Sequence, residues 1–283
     1  MSQHFYEGKK IALLTKHQKE KVIIPLMERE IGCKVIAETK YDTDGFGTFS
    51  REKKRRGTQL QTAKKKATKA MSLLKTDIAI ASEGSFNKHP YFTIPWNIEV
   101  VMLYDRKDRL VISGVCENWD TNHNNMFVSS IKEVRDFADR IGFPEHYIIL
   151  RPDTNDSKKI IKGINDKEWL EDAFNWCKIK SQKGVAFIET DMRAFANPTR
   201  MKNIEKATEN LIKKIKQLCP KCGRPGFDVT KSIKGLPCIC CGMPSEFTLK
   251  NICKCQSCKY IIEIEFPEGR RYSLPENCHY CNP

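Results

Sequence analysis

The last 65 residues carry ten of the chain's thirteen cysteines, and eight of them fall into four C-x-x-C pairs: Cys219/Cys222, Cys238/Cys241, Cys255/Cys258 and Cys278/Cys281. Two residues between cysteines let a tight turn aim both sulfurs at one tetrahedral ion, and two such knuckles complete a closed four-thiolate zinc shell. Fifteen residues separate Cys222 from Cys238 and nineteen separate Cys258 from Cys278, both within the range of zinc ribbons. The spacing therefore predicts two structural zinc ions in a tandem zinc-ribbon module over 219–283, paired in sequence order, with an interleaved pairing as the alternative. Cys240 and Cys253 are left over. A disulfide framework is the competing reading. It is disfavoured because the start of the chain does not read as a secretory signal and the other cysteines (Cys33, Cys116, Cys177) are scattered, which suits a reducing cytoplasm. So short a tail lacks the apolar mass to fold by burial alone, so metal would supply much of its folding energy.

Charge narrows the partners. The chain has a formal net charge of +14, and residues 40–75 hold eleven Lys/Arg against three acids. That bias favours polyanions such as nucleotides, RNA or DNA. No apolar run approaches the roughly 20 residues of a membrane span, so no membrane partner is expected. Assembly is left open, a homodimer included.

Residues 1–218 read as one α/β domain. Lys10–Thr15 is a short apolar strand, followed by a helical pattern at Ile23, Leu26, Met27 and Ile31 that Gly32 closes. A second strand covers 34–41, then a loop with Asp42, Asp44, Gly45 and Gly47, a basic run at Arg51–Arg56, and a helix over 58–74 with Leu60, Ala63, Ala67, Ala70, Met71 and Leu74 as its stripe. The apolar strand from Asp77 to Ser82 is expected to break at a Glu83–Phe86 turn. Two strands at 99–105 and 109–116 make a hairpin, Ser130 and Glu133 make a capping box, a short strand covers 147–150, and helix, strand and helix follow at 169–177, 185–190 and from Asn197-Pro198 onward. Strands alternating with helices, plus one hairpin, predict a mixed central sheet flanked by helices.

Four stretches in this domain carry plausible chemistry. Thr15-Lys16-His17-Gln18-Lys19, where a strand end meets a helix start, supplies backbone N–H groups, a hydroxyl and lysines for a phosphate; a plain helix start is the bland alternative. Ser82-Glu83-Gly84-Ser85 follows a strand expected to be central, and open α/β sheets bind ligands outside the carboxyl ends of strands. A Glu there can hold a divalent ion. Asp42 and Asp44 could assist it or belong to a simple turn. Glu189, Asp191, Arg193 and Arg200 could aim guanidinium forks at a phosphate or form an internal salt-bridge network. His89 and His123 have no sequence partners and read as incidental.

Residues 9–150, with T-K-H-Q-K, T-A-K-K-K-A-T-K-A-M, A-I-A-S-E-G-S and the hairpin, resemble the inosine/xanthosine triphosphate pyrophosphatases. That resemblance implies an inosine-triphosphatase-like fold, phosphate contacts from Thr15 and Lys19, and metal-binding acid at Glu83-Gly84. His17 stands near the place of that family's usual asparagine. Over its whole length, through E-T-D-M-R-A, N-P-T-R-M and the cysteine tail, the chain resembles an uncharacterised bacterial family catalogued as a domain of unknown function. The functional expectation is a Mg²⁺- or Mn²⁺-dependent nucleotide phosphohydrolase. In it Glu83, with Asp42 or Asp44, holds the metal, while Thr15, Lys16, Lys19, Gly84, Ser85, Arg193 and Arg200 hold the phosphates. The alternative is a nucleic-acid-binding zinc-ribbon protein whose α/β domain is not catalytic.

Overall fold

A computed structural model describes residues 4–47, 57–88 and 94–283; the basic run at 51–56 and His89 lie outside the described residues. The chain divides into two compact units. One comprises Tyr6–Asp105 with Ser113–Ile212, and the other is built on Lys213–Pro283 with the hairpin tip Arg106–Ile112.

The first unit contains two sheets. In the larger, β1 (Lys10–Leu14) lies between β2 (Lys34–Glu38) and β3 (Ile78–Lys88), parallel to both. β3 then pairs antiparallel with β4 (Pro95–Asp105), and β5 (Leu110–Asn118) completes the order β2-β1-β3-β4-β5. The sheet is therefore mixed, as expected. Helix α1 (Glu20–Ile31) buries Ile23, Leu26, Met27 and Ile31, and Gly32 ends it at φ +72. Helix α2 (Gln59–Leu74) opens on a Thr58–Gln61 capping box and buries Ala63, Ala67, Ala70 and Met71, whereas Leu60 at the head of the expected stripe stays exposed.

The expected turn at Glu83–Phe86 does not exist. β3 runs straight through it to Lys88, in register with β4 from Ile78↔Asp105 to Lys88↔Pro95. Gly84 has another purpose there: an added Cβ would stand 2.6 Å from Arg200 Nη2 and 2.5 Å from Glu99 Oε1. The absent side chain makes room for that buried ion pair.

The second half does not extend the central sheet. β6 (Asn125–Val128), β7 (Ile148–Pro152), β8 (Ile161–Ile164) and β9 (Ala186–Thr190) form a separate antiparallel sheet in the order β6-β9-β7-β8. Helices α3 (Ile131–Ile141), with its Ser130–Glu133 capping box, and α4 (Lys167–Lys180) supply Val134, Phe137, Leu170 and Phe174 to a core with Ile148, Leu150, Ala186 and Ile188. Strand alternation then puts Ile149, Arg151, Phe187 and Glu189 on the opposite face. A bulge after Ile148, with Gly163 at φ +81, lets Lys162 oppose Ile149 while Ile164 stays in the core.

Helix α5 (Pro198–Lys216) starts as expected at Asn197, whose Oδ1 accepts from Arg200 N at 2.9 Å. It lies against β5 so closely that a Cβ on Gly114 would sit far inside contact distance of the Ala207 carbonyl oxygen and the Leu211 nitrogen. Backbone cannot yield there as a side chain could. Gly114→Ala should destabilise the protein by about 3 kcal/mol or more, read as a lower urea midpoint at unchanged slope; a midpoint within error of the parent would refute the close approach.

Candidate functional site: a cationic cavity and two cysteine tetrads

β1 stops at Leu14, alongside the region of Ile80–Ala81, while β3 continues for several residues with β4 as its neighbour. Past that point no strand among the described residues lies beside the edge of β3 that faces β1. The strand order β2-β1-β3 also makes the gap between β1 and β3 the place where the connections diverge to opposite sides, the usual location of a ligand crevice in open α/β sheets. A cavity of about 500 Å³ opens there, lined by Thr15–His17 and Lys19 after β1, by Ser82–Asn87 of β3, and by Lys162, Glu189 and Asp191–Arg193 from the antiparallel sheet and its exit.

Of the ten residues given a role in the expected hydrolase, seven line this cavity: Thr15, Lys16, Lys19, Glu83, Gly84, Ser85 and Arg193. Arg200 lies behind the wall, fully buried. Its Nε donates to Glu99 Oε1 at 2.7 Å and its Nη1 donates to the Met192 carbonyl. Asp42 is exposed and bonded to Lys16 Nζ at 3.0 Å, and Asp44 belongs to the single turn Thr43–Phe46 whose Thr43 reaches the cavity. The Glu189–Arg200 stretch is thus an internal ion-pair network in large part: Arg193 holds Asp191 at 3.0 Å through Nε, and Arg151, unremarked in sequence, holds Glu189 at 3.2 Å.

Sequence reading missed Lys66, whose ammonium is ion-paired with the Glu83 carboxylate. A signal was there: Lys66 lies four residues from Thr62 and four from Ala70, both buried, so it shares the inward face of α2. Lys162 and Arg151 carried no such signal, because the parity that aims Lys162 depends on the bulge. His123 is not incidental; it lines the cavity and stacks on Phe86 with ring centroids 5.8 Å apart.

Five cations line the cavity (Lys16, Lys19, Lys66, Lys162, Arg193) against three carboxylates (Glu83, Glu189, Asp191), and Glu189 is neutralised from behind by Arg151. The surplus adds to burial in setting the proton affinity of the groups around it. Burial, then the charges of Lys19, Arg200, Arg193 and Lys16, push the His17 imidazole down to about 3, so it is neutral at physiological pH. Burial, then Arg200 and Lys66, push Lys19 down to about 7 against the opposing pull of Glu99 and Glu83. His17 and Gln18 both have positive φ, +70 and +64, an uncommon pair for residues with side chains and a strain typical of functional loops.

In the second unit the four knuckles interleave. Cys219 and Cys222 gather with Cys255 and Cys258, and Cys238 and Cys241 gather with Cys278 and Cys281. Sulfur separations across knuckles are 3.7 Å for Cys219–Cys258, 3.6 Å for Cys222–Cys255, 3.8 Å for Cys238–Cys281 and 3.6 Å for Cys241–Cys278. A tetrahedral zinc with Zn–S of about 2.3 Å needs sulfurs about 3.8 Å apart. Each tetrad therefore has the geometry to hold a zinc ion with no position left open. Among the described residues these are the groups of three or more metal-ligating side chains that converge; Glu83 is in no such group.

The sequence-order pairing fails for a mechanical reason. β10 (Asp228–Lys234) separates Cys222 from Cys238, and a seven-residue strand spans roughly 20 Å. β11 (Thr248–Lys254) returns antiparallel and delivers Cys255 and Cys258 beside the first knuckle; β12 (Ile261–Glu265) runs back, and Cys278 and Cys281 follow it to the second. In the first two knuckles Gly223 and Gly242 adopt φ +67 and +71, and their amides donate to the carbonyls of Cys219 and Cys238. Cys253 is buried on β11 and Cys240 is exposed, and neither joins a tetrad.

Taken together, this is a mixed α/β protein with an appended pair of zinc-competent cysteine tetrads. The chain belongs to a family described as a domain of unknown function (DUF6671), whose model matches residues 66–283. No curated protein and no solved structure matches it, so the likeness to inosine/xanthosine triphosphate pyrophosphatases gains no support. No helix among the described residues is long and apolar enough to cross a membrane.

Elemental analysis of the purified protein should find two zinc ions per chain. The double variant Cys222→Ser/Cys241→Ser discriminates the pairings. Interleaved tetrads each lose one sulfur and both zincs are weakened, whereas sequence-order tetrads would lose one zinc and keep the other.

Proposed function

We propose that the cavity between β1 and β3 binds a phosphorylated small molecule, and that the two tetrads are structural zinc sites that fold the tail. The observation that carries the first half is the excess of positive charge converging on one enclosed space, where burial first and the neighbouring cations second lower the proton affinity of His17 and Lys19. An anion bound there relieves that repulsion, and Lys16, Lys162 and Arg193 supply charge-assisted donors. Phe86 and His123 offer an aromatic wall nearby, which favours a nucleoside phosphate within the class. The second half rests on closed sulfur shells and on the tail's small core: Leu236 and Cys253 are buried, while Ile239, Ile261, Tyr272 and Leu274 are about half exposed or more.

Hydrolysis assisted by Mg²⁺ or Mn²⁺ at Glu83 has less support than binding. Lys66 already occupies that carboxylate, and Asp42 is held by Lys16. A polynucleotide partner also has less support, since Lys64 and Lys69 lie over the rings of Tyr104 and Tyr41, 4.9 and 5.0 Å from their centroids.

Calorimetry with inorganic pyrophosphate and with nucleoside triphosphates, with no Mg²⁺ or Mn²⁺ added, tests the reading. Binding should weaken about tenfold or more in Lys16→Ala and in Arg193→Gln, the worth of one charge-assisted hydrogen bond. Absence of binding by every phosphate compound, or affinity unchanged in both variants, would defeat it. Release of phosphate or pyrophosphate on adding Mg²⁺ or Mn²⁺, abolished in Glu83→Gln, would extend binding to hydrolysis.

A further inference from the structure

We propose that Lys19 is a covalent nucleophile whose amine condenses with the carbonyl group of a phosphorylated aldehyde or ketone held in this cavity. The phosphoryl part rests on the function proposed above; the nucleophile rests on Lys19's own surroundings.

The cavity's lysines are not alike. Lys16 and Lys66 are tied to the carboxylates of Asp42 and Glu83. Lys19 is buried to 6% exposure, yet it reaches the cavity lining, and its Nζ donates to a neutral hydroxyl, Ser82 Oγ, at 3.1 Å. Among the described residues no carboxylate stands within ion-pair distance of it. Burial, then the charges of Arg200 and Lys66, lower its affinity for a proton, against the opposing pull of Glu99 and Glu83. A buried amine flanked by cations and denied a carboxylate is the arrangement that keeps a lysine neutral and nucleophilic. With its affinity for protons lowered to about 7, roughly half of Lys19 is free amine at neutral pH, on the order of a thousandfold more than for an exposed lysine.

The step needs no co-reactant. The Nζ lone pair attacks the carbonyl carbon, the C=O π pair moves to oxygen, and that oxygen takes one proton from the nitrogen. Loss of the second nitrogen proton together with the hydroxyl releases water and leaves C=N. Ser82 Oγ, already hydrogen-bonded to Nζ, is placed to relay the first proton. A volume of about 500 Å³ suits a small phosphorylated metabolite, with its phosphoryl group on Lys16, Lys162 and Arg193 and its carbonyl at Lys19.

The zinc-loaded full-length protein is incubated with an equimolar amount of pyridoxal 5′-phosphate, a phosphorylated aldehyde, reduced with borohydride and mapped by peptide mass spectrometry. The expected result is one dominant label, on Lys19, suppressed by inorganic pyrophosphate. Its rate should fall about tenfold between pH 7.5 and pH 6 as the amine takes up its proton. Lys19→Arg, verified as folded by its zinc content and thermal transition, should lose that label. A label spread over surface lysines equally in the parent and in Lys19→Arg overturns the proposal. So does calorimetric binding of pyrophosphate with Lys19 left unlabelled, an outcome in which the phosphate reading stands alone. Conversely, selective labelling of Lys19 by propionaldehyde, with no protection by pyrophosphate and no advantage for the phosphorylated aldehyde, keeps the nucleophile and removes the phosphate.

Discussion

The first unit is organised by a mismatch in strand length. β1 has five residues and β3 has eleven, so β3 overhangs the parallel part of the sheet and is supported there by β4. An unpaired strand edge buried in protein must be satisfied by side chains, water or ligand. The loop leaving β1, the start of α1 and the exit of β9 converge on that overhang, and the groups they bring are mostly charged.

The walls are held by buried ion pairs, each with its own geometry. Arg200 and Glu99 are both fully buried, Arg151–Glu189 stands on the other sheet, and Arg193–Asp191 lies just past the end of β9. Such pairs add little net stability over apolar replacements, but losing one partner leaves a stranded charge that costs about 3–5 kcal/mol. Their value is positional, because a planar guanidinium bonded at two or more points cannot drift. Lys19 differs in kind: its ammonium donates to a hydroxyl, with Arg200 and Lys66 acting against its charge and Glu99 and Glu83 in favour of it.

Much of this was legible in sequence, and the failures share a cause. Helix boundaries at Gly32, Ser130 and Asn197 were readable because caps are local chemistry. Thr15, Lys19, Glu83 and Arg193 line the cavity, and that placement is legible because polar residues after apolar strands mark the carboxyl end of a sheet, where crevices lie. What failed was register. The polar Glu83-Gly84-Ser85 reads as a turn until the eleven-residue pairing with β4 is known, and Gly84 has its reason in Arg200, far away in the chain. Lys162 depends on a bulge, and the cysteine pairing on the length of β10. Counting residues between cysteines measures how far a chain can reach; it does not show that the intervening segment is straight.

Interleaving also changes how the tail comes into being. The first four cysteines of the pairs, Cys219 to Cys241, emerge together during synthesis but belong to different tetrads, so a zinc ion bound across those four thiolates would match neither. Correct assembly requires β11 to turn back before Cys255 and Cys258 can displace the wrong partners. Once that first shell forms, it closes a long loop and fixes the hairpin, and the entropy lost there no longer opposes formation of the second. The second tetrad thus depends on the hairpin that completes the first: Cys278 and Cys281 reach Cys238 and Cys241 only after β12 has run back along β11.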